Sequence, residues 1–318
     1  MTTSKNIRVG VVGIGHLGGY HLQKYATIDH CQIVAVADSQ MERSQKAADL
    51  YACQAFTDHR DMLGKVDAVS IAVPTGYHHE VARDFLAAGI DVLIEKPLCA
   101  TLEEADELLA LAEKNNLVFQ VGFVERFNPA VMALEKVITR PVFIEVHRLH
   151  PFFERGTDVD VILDLMIHDL DIILKFVRAP LTNVEAVGVP VLSDKIDISN
   201  VRLTFACGCI ANITASRISA KTMQKLRFFG PEGYHAVDTR KREILSLSKV
   251  ADADGKQQII QNNIEVGSHD PLEEEVRSFI NAVRTRSKPV VSGEDGRKSL
   301  ALAVEILQKM KTHEDIQL

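Results

Sequence analysis

The chain has 318 residues, of which 46% are hydrophobic and 25% charged, and its formal net charge is −7. This length is typical of two domains, and the composition is that of an ordinary globular protein. An acidic chain without a basic cluster does not suit nucleic acid, and no apolar run approaches the ~20 residues that span a bilayer. We therefore expect neither nucleic acid nor a membrane as a partner.

Five cysteines, an odd number in a long chain, indicate free thiols in a reducing compartment. The first residues lead directly into a strand pattern, which favours a cytoplasmic protein without a signal peptide. Cys207-Gly208-Cys209 lacks the second group of ligands that a zinc site needs. We interpret it as a hairpin turn and expect no metal.

The first patterned segment, residues 7–19, has the sequence IRVGVVGIGHLGG and contains Gly13-x-Gly15-x-x-Gly18. The first two glycines let a pyrophosphate approach the backbone, and the third lets the following helix pack closely on the strand. A second apolar run ends at Asp38, where a carboxylate can bind ribose hydroxyls and would repel the additional phosphate of NADP. The pattern predicts a dinucleotide site that takes NAD in preference to NADP. Taken alone, Asp38 could instead cap the next helix.

Strands and helices alternate as far as residue 122, which predicts a doubly wound parallel sheet. From there to the end, strand-like alternation dominates and two helices close the chain, which predicts an α+β domain with an open, mostly antiparallel sheet. We place the boundary so that residues 1–124 form an NAD(P)-binding Rossmann domain and 125–318 a substrate-binding and oligomerisation domain. Ligands are expected in a cleft at the carboxyl ends of the first sheet.

Two groups of residues could carry proton transfer. Lys96 directly follows a strand, where a lysine can bind a substrate hydroxyl, although a lone lysine before proline is more often a solvated loop residue. Asp164 and His168 share a face if residues 159–176 are helical, and a carboxylate beside an imidazole suits proton handling. The apolar neighbours of His168 leave open that it is a core residue.

Arg126, Asn128 and Arg148 are candidate substrate contacts early in the second half. An arginine matches phosphate and carboxylate oxygens with two hydrogen bonds, so this group could hold an anionic or nucleotide-linked substrate. Ordinary ion pairs, for example of Arg126 with Glu125 or of Arg148 with Glu145, would explain the same residues.

The fingerprint and three further segments together resemble the Gfo/Idh/MocA family of sugar dehydrogenases over essentially the whole chain. The segments are AVPTGYHHEVA (72–82), EKPLCATLEEADEL (95–108) and ILDLMIHDLDI (162–172). The resemblance implies that Lys96, Asp164 and His168 are catalytic and that the free face of the C-terminal sheet forms a homodimer or homotetramer. The residues that it implies for binding NAD are Gly13, Gly15, His16, Leu17, Gly18, Asp38, Pro74, Thr75, His78, Glu95 and Lys96.

Two more segments, VGFVERFNPAV (121–131) and VHRLHPF (146–152), resemble family members that oxidise the 3-hydroxyl of UDP-N-acetylglucosamine for lipid A or O-antigen sugars. The likeness predicts NAD-dependent oxidation of a sugar, at C3 of a UDP-linked N-acetylhexosamine. Residues 158–163 replace the glycine-rich run of many members, which disfavours inositol and simple glucose as substrates. The alternatives are another polyol or sugar, such as an inositol or an aldose, and a non-catalytic sensor of dinucleotide or sugar.

Overall fold

The structure is a computed structural model that describes residues 6–152 and 159–311. It divides into two compact units, the first formed by Met1–Val124 with Asp270–Arg297 and the second by Glu125–His269 with Lys298–Leu318. The predicted boundary at residue 124 coincides with the end of the first segment. The later segment, Asp270–Arg297, belongs to the first unit, although the sequence analysis assigned it to the second domain.

The first unit is built on a parallel sheet of six strands in the order β3-β2-β1-β4-β5-β6. This is the order of a doubly wound dinucleotide-binding sheet, and it places the reversal of strand order between β1 and β4. The prediction of a Rossmann domain is confirmed. The strands are β1 (Ile7–Val12), β2 (Cys31–Ala37), β3 (Gln54–Phe56), β4 (Ala68–Ile71), β5 (Asp91–Glu95) and β6 (Phe119–Gly122).

Four helices connect these strands, and their ends follow local signals. Thr101 accepts a hydrogen bond from the Glu104 amide at 3.2 Å and forms a capping box. Gly89, just after another helix, has φ +77°, which suits glycine. The helices are α1 (His16–Tyr25), α2 (Met41–Tyr51), α3 (His78–Ala87) and α4 (Leu102–Lys114), with 3₁₀ turns at His59–Met62 and Thr75–Tyr77.

The second unit contains a mixed sheet of nine strands in the order β14-β13-β12-β11-β7-β10-β9-β8-β15. Within the described part of this second sheet, only the strand pairs β7–β10 and β8–β15 are parallel, so the prediction of a mostly antiparallel sheet is confirmed. The strands are β7 (Phe143–Leu149), β8 (Leu181–Val189), β9 (Ile198–Phe205), β10 (Ile210–Ser216), β11 (Met223–Gly230), β12 (Gly233–Asp238), β13 (Glu243–Ala251), β14 (Gln257–Asn262) and β15 (Met310–Lys311).

One face of this sheet is buried and the other is half-exposed, as the alternation along β7 shows. The buried face packs on α5 (Pro129–Leu134), on α6 (Ile167–Phe176) and on residues 302–306 of the last helix to form an apolar core. A 3₁₀ turn, Val124–Phe127, precedes α5, and a π-helical turn, Ile162–Met166, precedes α6. Gly208, with φ +85°, forms the predicted hairpin turn between β9 and β10.

Two helices close the chain, α7 (Pro271–Thr285) and α8 (Gly293–Lys309). Asp270 caps α7 by accepting a hydrogen bond from the Glu273 amide at 2.9 Å. The apolar stripe of α7, including Val276 and Phe279, packs in one core with β1 residues such as Val9. This packing explains why α7 belongs to the first unit. No helix among residues 6–152 and 159–311 is both long and apolar enough to cross a bilayer.

Candidate active site

The glycine turn after β1 combines two sterically required glycines with one open position. Gly13 has φ +87°, and a Cβ there would lie 2.7 Å from the carbonyl carbon of Ala72. A Cβ on Gly18 would lie 1.9 Å from the Gly13 carbonyl oxygen. At Gly15, by contrast, a Cβ would meet no heavy atom within 4 Å. The turn therefore leaves bare backbone and free space at Gly15, at the start of α1, as bound pyrophosphate requires.

Asp38 lies beside this turn and is joined to it. Its Oδ2 accepts a hydrogen bond from the Ile14 amide at 2.8 Å, and its Oδ1 accepts one from the Gln40 amide at 2.9 Å. A carboxylate has about four acceptor sites, so these two contacts leave capacity for ribose hydroxyls. The carboxylate is thus held where the adenosine ribose of NAD is expected, and the residues present fit that cofactor.

The loop after β4 lies against the same turn, because the Cβ position of Gly13 is bounded by the backbone of Ala72 and Val73. Pro74 is exposed and Thr75 half-buried in this loop, whereas His78 is 1% exposed. The ring nitrogens of His78 lie 2.9 Å from the carbonyl oxygens of Val73 and Pro97, so His78 joins the loops after β4 and β5. Burial lowers the pKa of His78, against the effect of both carbonyls.

Glu95 is the last residue of β5, and Lys96 follows it with a cis peptide bond to Pro97. Glu95 is buried and pairs in register with Gly122 of β6. A Cβ on Gly122 would lie 3.0 Å from the Glu95 carboxyl carbon, so the glycine makes room for this side chain. Lys96, which is half-buried, therefore follows a tightly packed strand end on the same edge of the sheet as the glycine turn.

In the second unit, Asp164 lies in the π-helical turn and His168 in the first turn of α6. The segment is therefore helical from residue 161 to 176, as the pairing of Asp164 with His168 supposed, but a wider π-helical turn precedes α6. Both side chains are half-buried, whereas Met166 and Ile167 between them are fully buried. The pair thus lies off the apolar face, and π-helical turns occur frequently at functional sites. Residue 158, the first of the expected substrate loop, lies outside the described residues.

The side chains predicted to contact substrate form hydrogen bonds to other residues of the second unit. Arg126 donates two hydrogen bonds to Asp171, from Nε at 2.6 Å and from Nη2 at 2.9 Å. Arg148 donates two to Asp169, each at 2.8 Å, and a third to Glu125 at 3.2 Å. Both arginines are 4% exposed. These contacts hold α6, and a direct contact between either arginine and substrate remains a prediction.

Asn128 is the N-cap of α5 and is also buried. Its Oδ1 accepts a hydrogen bond from the Ala130 amide at 3.1 Å, and its Nδ2 donates one to the Thr239 carbonyl at 2.9 Å. The side chain therefore starts one helix and joins it to the end of β12. Contact between Asn128 and substrate likewise remains a prediction.

Comparison with known proteins identifies both units. Residues 7–123 match the model of an oxidoreductase family with an NAD-binding Rossmann fold, and residues 135–235 match the GFO/IDH/MocA C-terminal domain. The chain belongs to the Gfo/Idh/MocA family of oxidoreductases. The predictions of an NAD-dependent oxidoreductase and of NAD as the cofactor are thereby confirmed.

Among its relatives, this family member is 36% identical to the UDP-N-acetylglucosamine 3-dehydrogenase of Acidithiobacillus ferrooxidans over 95% of this chain and 96% of that one. A solved structure of that dehydrogenase superposes with a TM-score of 0.89, covering 96% of this chain and 98% of that one at 35% identity. The myo-inositol 2-dehydrogenase of Thermotoga maritima is 24% identical over 98% of each chain.

Sequence analysis missed several buried ionisable residues of the first unit, among them His21 on α1 and Glu275 on α7. Glu275 could have been noticed, because it adjoins the apolar stripe formed by Val276, Phe279 and Ile280, whereas the other faces of this helix are polar. His21 similarly lies beside buried Leu22 on α1. A charged residue type in such a stripe indicates a buried partner, although the periodicity does not identify it.

Proposed function

We propose that this oxidoreductase acts on UDP-N-acetylglucosamine and oxidises its 3-hydroxyl to a ketone, with release of one proton and reduction of NAD. The observation that carries the proposal is the 36% identity to a dehydrogenase of that name, because it extends over 95% of the chain and so includes the second unit. The inositol dehydrogenase covers as much of the chain at only 24% identity, which makes an inositol the second candidate.

In this proposal Lys96 and His168 hold the reacting hydroxyl and remove its proton. An amine and an imidazole both suit this role, because each can accept a hydrogen bond in its neutral form and carry the proton afterwards. Asp164 orients Lys96 and His168 or stabilises their protonated, charged forms. NAD, held by the glycine turn and Asp38, supplies the acceptor for the hydride. His16, Leu17, Pro74, Thr75 and His78 complete the proposed cofactor-binding set.

Arg126, Asn128 and Arg148 are proposed to serve the substrate chiefly by holding the helices that carry the site. Both arginines bond to aspartates of α6, the helix that contains His168. Their burial supports this role, because a guanidinium already bonded to a buried carboxylate has fewer N–H groups left for a substrate anion.

We also propose that the protein acts in the cytoplasm and that its product supplies amino-sugar synthesis for lipopolysaccharide. We further propose that it forms a homodimer or homotetramer through the half-exposed face of the second sheet. A broad groove of about 730 Å³ on the sheet supports an interface of mixed polarity there. Light scattering on the purified protein tests it: a monomer at all concentrations would contradict the assembly. The groove is lined by residues including Glu145, His147, Glu185, Asn200, Arg202 and Thr214.

The decisive experiment measures NADH formation under single-turnover conditions, with enzyme in excess over NAD and sugar. UDP-N-acetylglucosamine is compared with free N-acetylglucosamine, myo-inositol and glucose. We expect the UDP-sugar to react at least about tenfold faster, a margin of ~1.4 kcal/mol. Faster oxidation of myo-inositol would favour the second candidate. NADH binding without turnover of any sugar would favour a sensor.

A further inference from the structure

A buried group of three ionisable side chains lies in the first unit at the end of β5. His21 comes from α1, Glu95 from β5 and Glu275 from α7, and their exposed fractions are 1%, 9% and 0%. One ring nitrogen and one oxygen from each carboxyl group all lie within 4.8 Å of one another. Glu95 directly precedes Lys96 in the chain. The catalytic lysine of the proposed function therefore follows a strand end at which three ionisable side chains lie buried together.

Two members of this group, His21 and Glu95, have hydrogen-bond partners for their side chains. The Tyr25 hydroxyl lies 2.7 Å from Ser70 Oγ, which lies 3.1 Å from His21 Nδ1, and His21 Nε2 lies 2.9 Å from Glu95 Oε1. Burial raises the pKa of Tyr25, so its phenol keeps its proton and donates. Ser70 then donates to Nδ1, and Nε2 donates to Glu95, which as a carboxylate can only accept. In this row of hydrogen bonds from Tyr25 to Glu95, each donated hydrogen therefore has one acceptor.

Glu275 has no such support. Neither carboxyl oxygen has a hydrogen-bond partner among the described residues, and the Oε1 of Gln120, whose Nε2 donates to the Glu275 carbonyl at 3.1 Å, has none either. An ionised Glu275 would be a second buried negative charge close to Glu95, with no donor for its oxygens. Such a charge is strongly disfavoured unless a proton or a cation neutralises it.

We propose that Glu275 is a neutral carboxylic acid in the folded protein, and that it forms with Glu95 a buried pair of carboxyl groups holding one proton. A neutral carboxyl supplies one O–H donor to a region in which both Glu275 oxygens and Gln120 Oε1 have no hydrogen-bond partner among the described residues. A proton fits the observed contacts better than a cation, because a cation bound by His21 Nε2 would replace the hydrogen bond between that nitrogen and Glu95 Oε1. The pair keeps a single negative charge at the strand end before Lys96.

The proposal has a definite consequence for stability. Burial, and next the charge of Glu95, raise the pKa of Glu275 well above its ordinary value. The folded protein then keeps a proton that the unfolded chain releases near pH ~4.3. The stabilising contribution is complete below that pH and is lost as the pH rises toward the raised folded pKa.

Glu275→Gln tests this, because the amide mimics the neutral acid and does not ionise. We expect the melting temperature of the variant to exceed that of the full-length parent by at least about 3 °C at pH ~8, with the difference shrinking toward pH ~5. Glu274→Gln, a half-buried neighbour on the same helix, is the matched control and should follow the parent. A Glu275→Gln variant that is less stable than the parent at pH ~8 would overturn the proposal.

An infrared spectrum gives a second measurement that does not depend on the variant's folding. The parent, labelled with ¹³C-glutamate, should show the carbonyl stretch of a protonated carboxyl group at neutral pH, where ordinary glutamates are ionised. Absence of that band would overturn the proposal. Incubation with Zn²⁺ and with Mn²⁺, followed by dialysis and metal analysis, tests whether a metal ion neutralises the group instead. One tightly held ion per chain in the parent, absent from Glu275→Gln, would show a metal site and overturn the proposal of a shared proton.

Discussion

Arg148 and Asp169 form a bidentate ion pair in which the side chains are 4% and 1% exposed. Arg126 makes the same kind of pair with Asp171, two residues further along α6. Together, the two pairs attach the helix that carries His168 to β7 and to the turn before α5. The expected position of an active-site imidazole thus depends on two arginines distant from it in sequence.

Replacing Arg148 by Met should therefore be strongly destabilising, because it leaves the Asp169 carboxylate buried without its partner. We expect a loss of about 3–5 kcal/mol in the free energy of unfolding, measured by urea denaturation. Arg227→Met is the matched control, since Arg227 pairs with Glu145 while both side chains are about one-third exposed. That pair should contribute about 0–1 kcal/mol. Equal losses in the two variants would contradict the prediction.

Asp197 should make stability depend on acid pH. Burial raises its pKa, but hydrogen bonds from Ser193, Arg217 and the amides of Leu192 and Val191 outweigh burial and hold that pKa below its ordinary value. Its contribution is present above pH ~3.9 and is lost as the pH falls through the lowered folded value. In acid denaturation, Asp197→Asn should flatten the stability loss below pH ~4. Asp194→Asn, at an exposed neighbour, should leave that slope unchanged.

Gly15 and Gly18 should respond differently to the same substitution. Gly15→Ala adds a methyl group to open space, so the melting temperature should change little while NADH binding weakens, because the pyrophosphate is expected there. Gly18→Ala drives a methyl group against the Gly13 carbonyl oxygen and should lower the melting temperature. Calorimetry and NADH fluorescence titration measure both. Unchanged NADH affinity in Gly15→Ala would place the pyrophosphate elsewhere.

Asp38 should decide the choice of cofactor. Asp38→Ala removes a charged acceptor for ribose hydroxyls, a loss of about 1.5–3 kcal/mol, which corresponds to roughly 10- to 150-fold in kcat/KM for NAD. The value for NADP should rise, because the repulsion of its phosphate is removed. Asp49→Ala, at an exposed residue of α2, is the control. A variant with the parent's ratio of NAD to NADP activity would contradict this assignment.

Lys96→Ala and His168→Ala should each lower turnover by at least about a hundredfold, the usual contribution of general acid–base catalysis. Single-turnover NADH formation with the proposed substrate, UDP-N-acetylglucosamine, measures the effect. Lys65→Ala, at an exposed lysine of the first unit, should keep the parent's rate. If both active-site variants retained near-normal turnover, the proton would be removed by other groups.

Local patterns predicted most elements of the fold. The two helices predicted to close the chain are present as α7 and α8, because caps and a 3.6-residue period are local signals. Strand β3 was missed because its three residues are too few for any periodicity. The π-helical turn at Ile162–Met166 was missed as well, since apolar spacing alone does not distinguish a widened turn from a regular one.

The arginines show where sequence reasoning stops. The sequence suggested partners close by, such as Glu145 for Arg148, whereas the structure pairs Arg148 with Asp169 and gives Glu145 to Arg227. Arg148 and Glu145 lie on opposite sides of β7, because neighbouring odd and even positions of a strand face opposite ways. Proximity in sequence is therefore a poor guide to ion pairing in a sheet.

By itself, the sequence determined the glycine turn with its acidic partner, the two-unit plan and the family, because each depends on local spacing or on likeness along the chain. Only the tertiary structure decided that Glu275 lies beside His21 and Glu95, and that α7 belongs with the first sheet. The physical reason is that a buried charge is neutralised by whichever groups apolar packing brings near it, and that packing joins segments far apart in the chain.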